Sequence, residues 1–147
     1  MRSHGGALCN DIEGAPTQAA HNLVVAPAAT DTSFEALCSG VKNGLAVLSA
    51  WATVDQQALN GTIGGNIVYE IKDGKLGRVV DGAVMLFRAP DFWKNVLAVG
   101  GASTVSTIGM ATRRRRASGG QLRPHSVSAP AALVKQVAVT TNTPRVL

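Results

Sequence analysis

The sequence predicts an α+β fold: five or six mostly antiparallel strands in a β-rich domain, with two short helices on one side. Three observations lead there. An alternating run, Ile67 to Ile71, folds back through Lys72-Asp73-Gly74-Lys75, and Asp-Gly between alternating runs is a strong hairpin signal because a type I′ turn needs φ > 0 at both central positions. Apolar, β-tolerant runs recur at Leu45–Val54, at Ala83–Phe87 and in the Val-rich second half of 125–139. Helical spacing, by contrast, is confined to two stretches, near 32–43 and after Pro90.

In the hairpin, taking Asp73 and Gly74 as the loop sets Lys72 against Lys75, Ile71 against Leu76, Tyr69 against Arg78 and Ile67 against Val80. One face then carries Ile67, Tyr69, Ile71, Leu76 and Val80. On the other, Glu70 lies diagonal to Lys75 and offsets the two facing lysines. Such a ribbon needs a covering layer and reads first as scaffold.

A chain of 147 residues fits one domain, and 46% apolar residues suffice for a core. The net charge of +5 suggests nucleic acid, yet four of the fourteen basic residues form one run, Arg113 to Arg116, and without it the balance falls to about +1. A basic face is therefore not supported. Cys9 and Cys38 make no disulfide framework and no zinc spacing. Cys38 falls on a helix face as a small buried residue. Neither a secretory leader nor an 18-residue apolar span is visible, so the expected address is cytoplasmic, with no membrane.

Residues 1–20 are small, polar and aperiodic, and read as a flexible N-terminal segment ahead of a domain at 21–147. His4, Cys9, Asp11 and Glu13 lie in it, at a spacing that matches no metal-site logic. Asn22 to Ala26 reads as a strand stopped by Pro27. Thr32-Ser33-Phe34-Glu35 has the form of a capping box, which opens a helix over about 32–43 with Phe34, Leu37, Cys38 and Val41 on one face and Gly44 as its stop. Asp55 to Gly65 reads as a polar loop. Pro90 and Asp91 suit the start of a second helix with Phe92, Val96 and Val99 as its stripe, ended by Gly100-Gly101. Residues 102–124 read as a mobile, Arg-rich loop, and Thr140 to Leu147 as a loose end.

Few residues carry obvious chemistry. There is no phosphate-binding glycine loop, no nucleophile elbow and no His-Glu-x-x-His. The three histidines, His4, His21 and His125, are isolated. Ser126 follows His125, but neighbours along a strand point to opposite faces, which argues against a nucleophile–base pair. Arg113–Arg116 with Ser118 reads as a solvated loop, with a phosphate-binding patch or a kinase site as the functional alternatives.

Taken together, Leu23-Val24-Val25-Ala26-Pro27, Ser33-Phe34-Glu35, Gly40-Val41-Lys42-Asn43-Gly44-Leu45, the ribbon Val68 to Arg78, Ala83 to Phe87 with Pro90-Asp91-Phe92-Trp93, Val99-Gly100-Gly101 and His125 to Leu133 resemble, in order, the C-terminal region of the TldD/PmbA metallopeptidases. The resemblance runs from Leu23 to Val139. It implies a cytoplasmic hydrolase family, active in proteolysis, whose members work as homodimers or beside a sister subunit, with peptide as substrate of the full assembly. It also implies a zinc site on an upstream His-Glu-x-x-x-His helix, where two imidazoles ligate and the Glu activates water. This chain has no such motif. Relatives can add a cysteine ligand in the loop matching 102–124; the nearest residue here is Met110, a poor zinc ligand. Arginines replace the family's Lys-Gly-Gln-Pro run. No catalytic, metal-binding or cofactor-binding residue is therefore carried over. The expectation is a structural chamber or dimer-interface part, inactive alone and without zinc of its own. A basic nucleic-acid module using Arg113–Arg116, or a nonfunctional fragment, are the alternatives.

Overall fold

The computed structural model describes residues 7–8, 17–18, 22–113 and 122–141. Its strands are β1 (Ala7–Leu8), β2 (Thr17–Gln18), β3 (Asn22–Val24), β4 (Asn43–Val54), β5 (Asn60–Lys72), β6 (Lys75–Val79), β7 (Ala83–Arg88), β8 (Val96–Val99), β9 (Ser106–Arg113), β10 (Leu122–Ala129), β11 (Ala132–Val134) and β12 (Ala138–Thr141). Helices α1 (Phe34–Ser39) and α2 (Ala89–Lys94) and one 3-10 turn (Ala102–Thr104) complete the described elements. The main sheet runs β12-β7-β5-β4, with β6 also paired to β5. A second sheet runs β3-β10-β9, and β8 pairs with β11. Every pairing is antiparallel except β3 with β10. The chain is thus β-rich α+β, the class its sequence predicts.

The central hairpin forms with Lys72 against Lys75 and Ile71 against Leu76, around Asp73 (φ 47) and Gly74 (φ 78). Beyond that pair the expected register fails. Tyr69 pairs with Val79, not Arg78, so Gly77 and Arg78 together oppose Glu70. This one-residue bulge brings Arg78 Nε within 3.3 Å of Glu70 Oε2, where Lys75 was the expected partner. The expected single apolar face also divides: Ile71 and Val68, on opposite faces, are both buried, while Ile67 and Leu76 are exposed.

Both helices are shorter than their patterns. Ser33, not Thr32, caps α1: its Oγ accepts from Ala36 N at 3.2 Å. The helix stops at Gly40 because Val41 and Lys42 give their carbonyls to Gly74 N and Asp73 N, each at 2.8 Å. In α2 Pro90 and Asp91 sit in the first turn as expected, but the helix ends at Lys94. Val96–Val99, read as helical stripe, is strand β8 paired with β11, the geometry its β-branched residues favour.

Two expected loops contain strand. Asn60–Gly65 opens the long β5, paired with β4 on one side and, over 60–63, with β7 on the other. Of the described part of 102–124, residues 106–113 and 122–124 belong to the antiparallel pair β9–β10. In the N-terminal segment, Ala7–Leu8 pairs with Thr17–Gln18. His4, Cys9, Asp11, Glu13, His21, Arg114–Arg116, Ser118 and residues 142–147, for which the sequence raised expectations, lie outside the described residues.

The core is thin. Cys38, Ala46 and Ile71 form its centre, with Phe34, Val41 and Tyr69 packed around them. No large side chain among the described residues is fully buried, and fourteen large apolar ones are exposed, Leu23, Val24, Trp51, Val54 and Trp93 among them. Exposure on that scale leaves much of the hydrophobic driving force unused inside the chain.

Candidate functional site

Three regions carry enough chemistry or surface to be weighed as a site. The first is a junction where distant segments meet. Gly101 N donates to Thr32 O at 2.9 Å, Gly100 N to Ala131 O at 2.8 Å and Ala28 N to Gly100 O at 3.0 Å. Asp31 Oδ1 accepts from both the backbone N (2.9 Å) and the hydroxyl (2.8 Å) of Ser103. Thr104 Oγ1 donates to Gly101 O and accepts from Ala131 N. The backbone of Asp31 comes so near Gly101 that a Cβ there has no space, which explains the glycine. The Ser103 amide, then its hydroxyl, hold the Asp31 carboxyl below the usual carboxylate range. The carboxylate so engaged is a structural clasp that ties the Asp31 segment to the 3-10 turn.

The second region is the β9–β10 pair, where the family resemblance locates a ligand. Met110 and His125 are direct Cα partners across this ladder. Ser126, which follows His125, donates instead to Asn22 Oδ1 at 2.7 Å and joins β10 to β3. The serine hydroxyl is thereby engaged in a contact between two strands. Thr107 and Ser128 hydroxyls add a further cross-strand bond at 2.7 Å. Arg113 ends β9; the rest of the arginine run lies outside the described residues.

Zinc is the metal that the family implies. Among the described residues no three His, Cys, Asp or Glu side chains converge on one point. The described side chains do not fit the ion. Cys38 is buried, and burial first, then the charge of Glu35, raises its thiol pKa, so it is neither a ready ligand nor a nucleophile.

The third region is surface. An open groove between β5 and β7 is lined by Asn60, Gly61, Thr62, Leu86, Phe87 and Arg88. Its one cation, Arg88, lies 3.4 Å from Asp91 and is partly neutralised. Two sheet edges are apolar: β3, continued by Val25, exposes Leu23 (54%) and Val24 (70%), and the outer half of β4 exposes Trp51 (45%) and Val54 (54%). Sequence reasoning missed these edges because alternation reports which residues are apolar, not which face lacks cover. Among the described residues, no helix is long and apolar enough to cross a membrane.

The described residues form a β-rich α+β domain with apolar sheet edges, and no three potential metal ligands converge among them. The comparisons give this fold a family. The profile of the PmbA/TldA metallopeptidase C-terminal domain matches residues 1–141, and the chain belongs to that family. The match begins at residue 1, so it includes the twenty residues that the quoted motifs leave out. The crystal structure of a candidate modulator of a DNA gyrase from Thermotoga maritima is similar in fold, with a TM-score of 0.58 at 17% identity. That likeness covers 81% of this chain but 24% of the other, so the chain spans about a quarter of that protein's length. No curated protein matches the chain.

Proposed function

We propose that this domain is a non-catalytic wall and interface element of a peptidase assembly, pairing with another family chain, identical or sister. The observation that carries the proposal is the apolar surface left open along β3 and outer β4. Burying such surface against a partner is favourable by roughly 25 cal/mol per Å². Family membership supplies the kind of assembly, and peptide is a substrate only of the whole. In this reading zinc and its activating carboxylate come from elsewhere in the assembly, and the setting is the cytoplasm.

The test is a metal analysis of the purified chain together with its hydrolysis of unstructured peptides. Neither bound zinc nor turnover is expected. One equivalent of tightly held zinc accompanied by peptide cleavage would overturn the proposal.

A further inference from the structure

Among the described residues, β4 is an edge strand along its whole length. All eleven of its registered partners lie on β5, and no other described element hydrogen-bonds to it. An edge of twelve residues is about twice the usual strand length. Natural edges are commonly protected by charge, proline or a covering element. The sequence of β4, NGLAVLSAWATV, contains no charge and no proline, and residues 49–54 are all exposed.

We infer that β4 is the seam at which two copies of this chain join, edge to edge and antiparallel, into one continuous sheet. The inference rests on the interface reading above and names its surface. Charge selects the partner and the direction. Lys42, exposed, immediately precedes the strand, and Asp55 immediately follows it. Donation from Leu59 N (2.8 Å) and from Asn60 N and Nδ2 keeps Asp55 ionised, and a carboxylate retains acceptor capacity beyond those bonds. Antiparallel self-pairing about a twofold normal to the sheet keeps each face on its own side. Centred on Leu48 or Ser49, it sets Lys42 of each copy within one residue of Asp55 of the other. Parallel pairing would set lysine beside lysine. Nothing charged lies between, so two chains of net charge +5 meet along this line without like-charge contact. Ser49, at φ 50, lies at or next to the axis, where the ladder is interrupted in both copies alike.

The test is sedimentation of the full chain over roughly 1–100 µM, a range that brackets a micromolar Kd. A concentration-dependent dimer, weakened by salt, is expected. Ala52→Lys sets unpaired charge on the open edge and should weaken it more than tenfold. Lys42→Glu opposes Asp55 of the second copy and should weaken it roughly tenfold. Lys135→Glu makes the same change of charge away from the edge and should leave the Kd alone. Circular dichroism confirms that each variant is folded. A chain that stays monomeric throughout overturns the seam, whether the edge then serves a sister subunit or an extended peptide. So does a dimer indifferent to Ala52→Lys. Neither result bears on zinc or hydrolysis, which decide the functional proposal separately.

Discussion

The indole of Trp51 on β4 lies against Gly64 of β5, its registered partner, so closely that no Cβ fits beneath it. Gly65 and Gly61 are similarly pressed: a Cβ on Gly65 would lie 2.5 Å from Val47 Cγ1, and one on Gly61 would lie 2.7 Å from Phe87 Cζ. Glycines that would ordinarily weaken a strand are here overlaid by side chains from neighbouring strands. Gly64→Ala should therefore destabilise the domain by about 1–3 kcal/mol, the usual range for overpacking. In a Trp51→Ala background the same change should be nearly neutral. Denaturant midpoints of the four proteins in this cycle give the coupling, and an equal loss in both backgrounds would mean that the ring is not the cause.

Gly74 is constrained twice. Its φ is 78, and a Cβ would lie 2.6 Å from Ser39 O at the end of α1. A neighbouring glycine on the same hairpin provides the control, since a Cβ on Gly77 would meet nothing nearer than Glu70 O at 3.5 Å. Gly74→Ala should lower stability by about 1–3 kcal/mol and Gly77→Ala by less than about 1 kcal/mol. Thermal unfolding that ranks the two the other way would contradict the turn geometry. Loss of Arg78, whose pairing with Glu70 is largely solvent-exposed, should by contrast be nearly silent.

These contacts also show where sequence legibility stopped. The Asp73-Gly74 turn was readable because its signal is local: two adjacent residues tolerant of positive φ. The bulge at Gly77-Arg78 was not, since a two-residue loop fixes register only until an extra residue intrudes. Asn60–Gly65 looked like a loop because the residues that complete it, Trp51 and Phe87, come from other strands. Val96–Val99 satisfied a helical stripe and a strand equally, and pairing with β11 decided between them. The β9–β10 pair hid in a Ser, Thr and Gly composition. Of the candidate regions, the family segments were legible as motifs. The clasp between Asp31 and Ser103, seventy-two residues apart, has no local sequence signal at all.

Two carboxylates should govern the acid limb of stability. Asp31 is held low by the Ser103 amide and hydroxyl, and Asp55 chiefly by the Leu59 amide, which desolvation opposes and Asn60 assists. In an unfolded chain an Asp titrates near 3.9. Because both folded values are lower, the unfolded state binds protons more readily. The stabilisation is then complete above about pH 4–5 and is lost as pH falls through the folded values. Replacing both by asparagine should flatten stability against pH below about pH 4 while lowering stability at neutral pH. An acid limb of unchanged slope in the double variant would assign the effect to other groups.

Cys38 titrates in the opposite sense. Burial, then the negative charge of Glu35, raises its pKa, so the folded state keeps the thiol proton longer than the unfolded one. Its contribution is present below the unfolded value, about 8.5, and is lost as pH rises through the higher folded value. In a Cys9→Ser background, Cys38 at 5% exposure should react with iodoacetamide only as fast as the domain opens. Denaturant should therefore accelerate labelling steeply. Cys38→Ala removes one buried sulfur and should cost less than about 1.5 kcal/mol, whereas Cys38→Ser buries a hydroxyl and should cost about 1–3 kcal/mol. Rapid labelling of the native domain at pH 7 would place the sulfur outside the Ala46–Ile71 core and remove the basis for both values.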